Sequence, residues 1–149
     1  MNDQPARREV VTCFLRRTDA RGEARVLIVR RSGRVGTYRG RWSAISGYLE
    51  AETPLDQAMT EISEETGLGN DDVTLVAAGE PLPVDDAQSG LRWLVYPFLF
   101  DMASGRDVEL DWENVEGRWV APEELSRYDT VPALEDALRR VWPSGRTRG

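Results

Sequence analysis

The spacing of apolar positions along the chain changes repeatedly, and each change marks an element. Residues 9–15 and 24–31 are dense in Val, Leu and Ile and flank a turn-forming stretch, residues 18–23, which predicts two strands joined as a hairpin. Residues 42–47 read as a short apolar strand or bend, and residues 73–80, 91–101 and 117–121 as further strands. Pro97 lies inside the longest of these and predicts an edge strand or a bulge there. Between them Leu55, Ala58, Met59, Ile62 and Thr66 recur at helical spacing, with Thr53 as N-cap, Pro54 in the first turn and Gly67 as the stop. A second helix is predicted over residues 131–141, closed by Pro143 and Gly145, while the first few residues and residues 144–149 read as loose ends. Strands alternating with helices predict an α/β sandwich, and 149 residues are enough for one domain spanning 1–149.

Composition narrows the chemistry. The longest apolar run, residues 93–100, is far short of the roughly 18 residues of a membrane span, and the N-terminal stretch is polar. A soluble cytoplasmic protein with no membrane partner is expected. A single cysteine, Cys13, excludes an internal disulfide and a multi-cysteine zinc site. There is no histidine, and all 19 basic residues are arginine. Ser-His-Asp and Cys-His catalysis, imidazole metal ligands, Schiff bases and the lysine-containing phosphate loop are therefore excluded. Carboxylate chemistry remains, and carboxylates select hard cations such as magnesium, manganese or calcium.

Charge is unevenly distributed. Residues 1–41 carry 11 arginines against four acids, whereas residues 42–149 carry eight arginines against 22 acids, so the two segments should attract each other. Residues 42–91 hold eleven acids and no base, which argues against a long nucleic acid as partner. The loop over residues 30–41 combines glycines with Arg30, Arg31, Arg34, Arg39 and Arg41, a pattern suited to a phosphate group. On the first predicted helix, Glu61, Glu64 and Glu65 stand at i, i+3 and i+4, so three like charges converge on one stripe. They also sit at the negative end of the helix dipole. Two penalties without visible compensation point to function, and a divalent cation would supply the compensation.

From Gly47 through Glu50, Glu52, Thr53, Thr60, Glu61, Ile62, Glu64, Glu65 and Gly67 to Leu68 the sequence resembles the Nudix box. Glu52, Glu61, Ile62, Glu64, Glu65, Gly67 and Leu68 match its spacing. Trp42 before the box, and Trp119, Val120, Glu123, Glu124 and Leu125 after it, extend the likeness. Two departures stand out: the motif's arginine is Thr60 here, leaving Arg39 or Arg41 to orient the glutamates, and the interval from Gly47 to Glu52 is one residue short.

The resemblance implies a Nudix-like α/β/α sandwich with a mixed sheet, and Mg2+- or Mn2+-dependent hydrolysis of the diphosphate linkage in a small nucleoside diphosphate derivative. It implies Glu61, Glu64 and Glu65 as metal ligands, with Glu52 or Glu50 as a further one. Arg30, Arg31, Arg34, Arg39 and Arg41 become candidates for a diphosphate clamp, and Glu61 and Glu113 share the general-base assignment. Glu113 and Glu116 fall in a loop before a predicted strand, and Tyr38, Trp42, Trp93 and Tyr96 are candidates to stack on a base. A module that keeps the fold to sense nucleotides without turning them over is the alternative suggested by Thr60 and the shortened loop. Isoprenoid diphosphate isomerisation, on a related scaffold, needs histidines that this chain lacks. The leaving group and the oligomeric state, including a homodimer, are left open.

Overall fold

The computed structural model describes residues 6–143, so both predicted loose ends lie outside the described residues. An eight-stranded mixed sheet is built from β1 (Arg8–Thr18), β2 (Ala24–Arg31), β3 (Trp42–Ser43), β4 (Ile45–Tyr48), β5 (Val73–Ala78), β6 (Leu82–Asp86), β7 (Leu91–Met102) and β8 (Asn114–Val120). Helices α1 (Pro54–Thr66) and α2 (Leu134–Val141) cover it. The expected α/β sandwich with a mixed sheet is the observed architecture.

Its centre is β1, and the reason lies in its sequence. Val11 to Leu15 are all buried, because alternate residues face opposite layers. Val11, Cys13 and Leu15 join Leu27, Val29, Phe98 and Phe100 in the core beneath Ala58 and Ile62 of α1. Phe14 joins Val26, Ile28 and Leu99 in the core beneath Leu134, Ala137, Leu138 and Val141 of α2. Leu55, read as part of the apolar stripe of α1, is instead exposed, since it sits in the first turn beyond the edge of that core.

One edge of β1 pairs in parallel with β7 from Arg8↔Trp93 to Arg16↔Asp101. The other edge forks: Val10 to Cys13 pair with β4, and Arg16 to Thr18 pair with β2. The segment read as one strand or bend at 42–47 is two strands, β3 on β2 and β4 on β1, with Ala44 at the crossing. The fork brings Gly47 of β4 over α1.

Pro97 lies in an interior strand, not at an edge or in a bulge of its own. It falls where the antiparallel partner of β7 changes from β6, which pairs up to Val95, to β5, which begins at Phe98. A residue without an amide hydrogen is tolerated at such a change of partner. Strand β6 itself escapes sequence reading because Pro81 and Pro83 mask its short alternation.

The two charge-biased segments do pair. Arg16 with Asp101, Arg25 with Glu124, Arg30 with Glu116 and Arg41 with Asp129 all join residues 1–41 to the acidic remainder. Among the described residues no helix is long and apolar enough to cross a membrane.

Helix α1 starts and stops as its sequence dictates. Thr53 Oγ1 accepts from the Asp56 amide at 3.1 Å, and Gly67, at φ 78°, donates its amide to Ser63 O at 3.0 Å. Thr53→Ala should therefore cost about 1 kcal/mol in urea unfolding. An unchanged midpoint would mean the cap contributes nothing.

Candidate active site

A cleft of about 400 Å3 opens at the fork of the sheet. Its wall combines Thr12 of β1, Ser46 to Tyr48 of β4, Arg31 and Arg34 with the loop that follows β2, and Trp93 of β7. Val131 to Leu134 close its apolar end, and Glu50, Glu61, Glu64 and Glu113 line its acidic end. Among the described residues only two non-glycine residues have positive φ, Tyr38 at 49° and Ala133 at 65°, and both line this cleft. Backbone strain of that kind concentrates at functional sites. Tyr38 is held there by donating its hydroxyl to Asp86 Oδ2 at 3.0 Å and accepting from Trp93 Nε1 at 3.0 Å.

The carboxylates of α1 divide into two environments. Glu64 is exposed, whereas Glu61 and Glu65 are 8% and 2% exposed and lie one turn apart. Glu65 Oε1 accepts from Asn114 Nδ2 at 3.0 Å, and Glu65 Oε2 is buried without a hydrogen-bond acceptor role to fill. Burial pushes the Glu65 carboxyl up to about 10, helped by the neighbouring Glu61 carboxyl and by the charge of Glu113. Burial also raises Glu61, aided by the charges of Glu64 and Glu50, against the hydrogen bond from Gln57. Two carboxyls buried one turn apart thus hold their protons above the ordinary carboxylate range.

Glu61 is fixed from two sides. A Cβ added to Gly47 would overlap the Glu61 carboxylate, so any larger residue there would displace that side chain from its present position. Opposite it, Gln57 Nε2 donates to Glu61 Oε2 at 2.7 Å. No arginine among the described residues forms an ion pair with Glu61, Glu64 or Glu65. Thr60 is exposed, Arg39 Nε is given to Val35 O at 2.7 Å, and Arg41 pairs with Asp129 at 3.3 Å. Neither Arg39 nor Arg41 takes the place of the motif's arginine, because each is committed to its own loop.

The other expected site residues separate in the same manner. Arg31 and Arg34 line the cleft; Arg31 is anchored to Thr37 O at 2.9 Å, and its burial lowers its pKa against the charges of Glu65 and Glu113. Arg30 turns away to Glu116 at 3.0 Å, which also removes Glu116 from the acids facing the cleft. Tyr96 donates to Glu9 at 2.6 Å and packs on the core below α1, outside the cleft wall. Glu52 is exposed and off the wall, while Glu50 is on it. Glu113 lies just ahead of β8, tied to β2 by its carbonyl accepting from the Ser32 amide at 2.8 Å. Burial and then the charges of Asp111 and Glu61 raise its pKa.

Sequence reading missed four residues. Gln57 stands four before Glu61, and that spacing was the available signal. Asn114 reaches Glu65 across 49 positions and gave none. Tyr48 and Trp112, 47% and 55% exposed, are the solvent-facing aromatics of the cleft, with Arg34 stacked 5.8 Å from the Trp112 ring. Trp42 is buried in the core below α2 instead.

The carboxylates that line the cleft, Glu50, Glu61, Glu64 and Glu113, are hard oxygen donors of the kind that select a divalent cation, and the buried, unpartnered Oε2 of Glu65 lies one turn from Glu61; among the described residues no three acidic side chains are already arranged to hold an ion.

A family model described as the NUDIX domain matches residues 6–141. Nucleoside triphosphatase NudI of Escherichia coli O81 (strain ED1a) is 29% identical over 110 residues, covering 70% of this chain and 78% of its own. Among solved structures, a Nudix hydrolase from M. smegmatis, RenU, superposes with a TM-score of 0.77 at 22% identity over 96% of this chain and 90% of its own. A C. elegans Ap4A hydrolase binary complex gives 0.74 at 20% identity over 89% and 93%. At these identities the structural likeness is one of fold.

Because folded Glu65 holds its proton to about 10 and an unfolded glutamate releases it near 4.5, the folded state binds more protons between those values. Metal-free stability should then fall as pH rises through that window. Glu65→Gln keeps a donor toward Glu61 and an acceptor for Asn114, so it should flatten the slope and raise the metal-free Tm at pH 8 by several degrees. Thermal unfolding from pH 5 to 9 checks this, and an unaltered slope would contradict it.

Proposed function

Since the chain belongs to the NUDIX family and is a hydrolase of pyrophosphate bonds, we propose that it cleaves a nucleoside di- or triphosphate derivative with Mg2+ or Mn2+ held by Glu61, Glu64 and Glu65. Glu50 stands on the same wall as a further ligand. The observation that carries the reading is the buried Oε2 of Glu65, one turn from Glu61, which has no hydrogen-bond partner in the protein. A bound divalent ion would neutralise charge on the diphosphate oxygens and acidify a coordinated water.

The chain's own groups do the rest. Arg31, fixed by Thr37, and Arg34 at the cleft mouth grip the diphosphate. Glu113, made more basic by burial and by Asp111, takes the proton from the attacking water as that water bonds to phosphorus. The bridging P–O bond breaks, and the second phosphate leaves with its electron pair. Tyr48 and Trp112 offer flat faces to a base or sugar at the cleft rim. The names of the relatives, a nucleoside triphosphatase and an Ap4A hydrolase, support a nucleotide as substrate. A lone buried thiol, Cys13, accords with the reducing cytoplasm as the site of action.

Phosphate or nucleotide release with Mn2+ should be measured across nucleoside triphosphates, Ap4A and nucleotide sugars. Wild type is expected to turn over at least one class, and Glu64→Gln to lower kcat by about two orders of magnitude or more. Arg34→Ala should act mainly on KM. Nucleotide binding by wild type without turnover of any compound would replace this reading with the sensing module.

A further inference from the structure

Thr60 leaves the motif without its guanidinium, yet Glu61 is the most tightly positioned carboxylate of the site. Gln57, 3% exposed, accounts for this with one planar amide. Its Nε2 donates to Glu61 Oε2 at 2.7 Å, while its Oε1 accepts from the Glu50 amide at 2.9 Å and the Ala51 amide at 2.8 Å. Side chain and loop are thus locked together: the group that aims Glu61 also fixes the backbone that carries Glu50. The i, i+4 spacing puts Gln57 one turn before Glu61 on the same stripe, and the absence of a side chain at Gly47 leaves the space that the Glu61 carboxylate occupies.

We infer that Gln57 is the positioning residue of this site, replacing the motif's arginine with a neutral amide that aims Glu61 and anchors the loop of Glu50. The chemical difference matters. A guanidinium would offset part of the charge on Glu61, whereas an amide orients the carboxylate and leaves its charge for the cation. Gln57 touches neither substrate nor ion; it acts through Glu61 and through the loop. The inference rests on the assignment of Glu61 as a metal ligand.

Gln57→Met, close in volume, removes both the donor and the acceptor. Mn2+ binding, followed by the electron paramagnetic resonance signal of the free ion with no nucleotide present, should weaken by about tenfold or more, as for lost supporting partners of metal ligands. With the best substrate of the panel, kcat should fall by about tenfold while KM stays within about twofold. Thr60→Ala should change neither quantity. Gln57→Glu keeps the acceptor for the Glu50 and Ala51 amides but sets a second carboxylate against Glu61, so circular dichroism and thermal unfolding of both variants guard against a folding defect; it too should lose about tenfold in kcat at saturating Mn2+. Wild-type Mn2+ affinity in Gln57→Met, or wild-type kcat in Gln57→Glu, overturns the inference while leaving the hydrolase reading intact. Absence of Mn2+ binding in the wild type overturns both.

Discussion

Glu61 and Glu65 lie one helical turn apart beneath the sheet fork, with no ion pair to an arginine among the described residues and only the charge of Arg31 acting on Glu65, and the rest of the site is arranged around them. Two adjacent carboxylates removed from water cannot both ionise cheaply. The protein answers with neutral donors: Gln57 on one carboxylate and Asn114 on the other. Each donor orients a carboxylate without cancelling its charge. The buried, unpartnered Oε2 of Glu65 remains a local cost to the fold, and the function proposed above would have a doubly charged ion relieve it.

The architecture explains why that pair is where it is. A strand buried on both faces, β1, forces the helices onto opposite layers, and its forked edge lets β4 lie over α1. Gly47 then leaves the space that the Glu61 carboxylate fills, which a side chain there would contest. The same fork leaves the open cleft, and the loops after β2 and before β8 bring Arg31, Arg34, Trp112 and Glu113 to it. Arginines that do not reach the cleft hold the acidic and basic segments together instead, as Arg16, Arg25, Arg30 and Arg41 do.

Local signals in the sequence were read well, and distant ones were not. The cap at Thr53, the stop at Gly67, the hairpin of β1 and β2 and the carboxylate stripe all depend on spacings of a few residues. Strand β6 was hidden by Pro81 and Pro83, and the place of Pro97 depends on a change of strand partner that no local window contains. Arginine content in residues 30–41 marks a loop that does line the cleft but does not sort its members. Arg31 and Arg34 face the cleft, while Arg30, Arg39 and Arg41 are claimed by Glu116, Val35 and Asp129. Tyr96 and Glu52 show the same limit: Tyr96 of β7 turns to Glu9, and Glu52, in the bend ahead of α1, is exposed off the cleft wall. Asn114 was beyond reach because its partner is 49 residues away.

If the buried oxygen of Glu65 and its neighbour on Glu61 are kept for a divalent cation, anomalous diffraction from crystals soaked in Mn2+ will show a peak within direct bonding distance of Glu65 Oε2 and a Glu61 oxygen. A peak elsewhere on the molecule, with Glu65 Oε2 still unpartnered, would show that the ion is held by other groups.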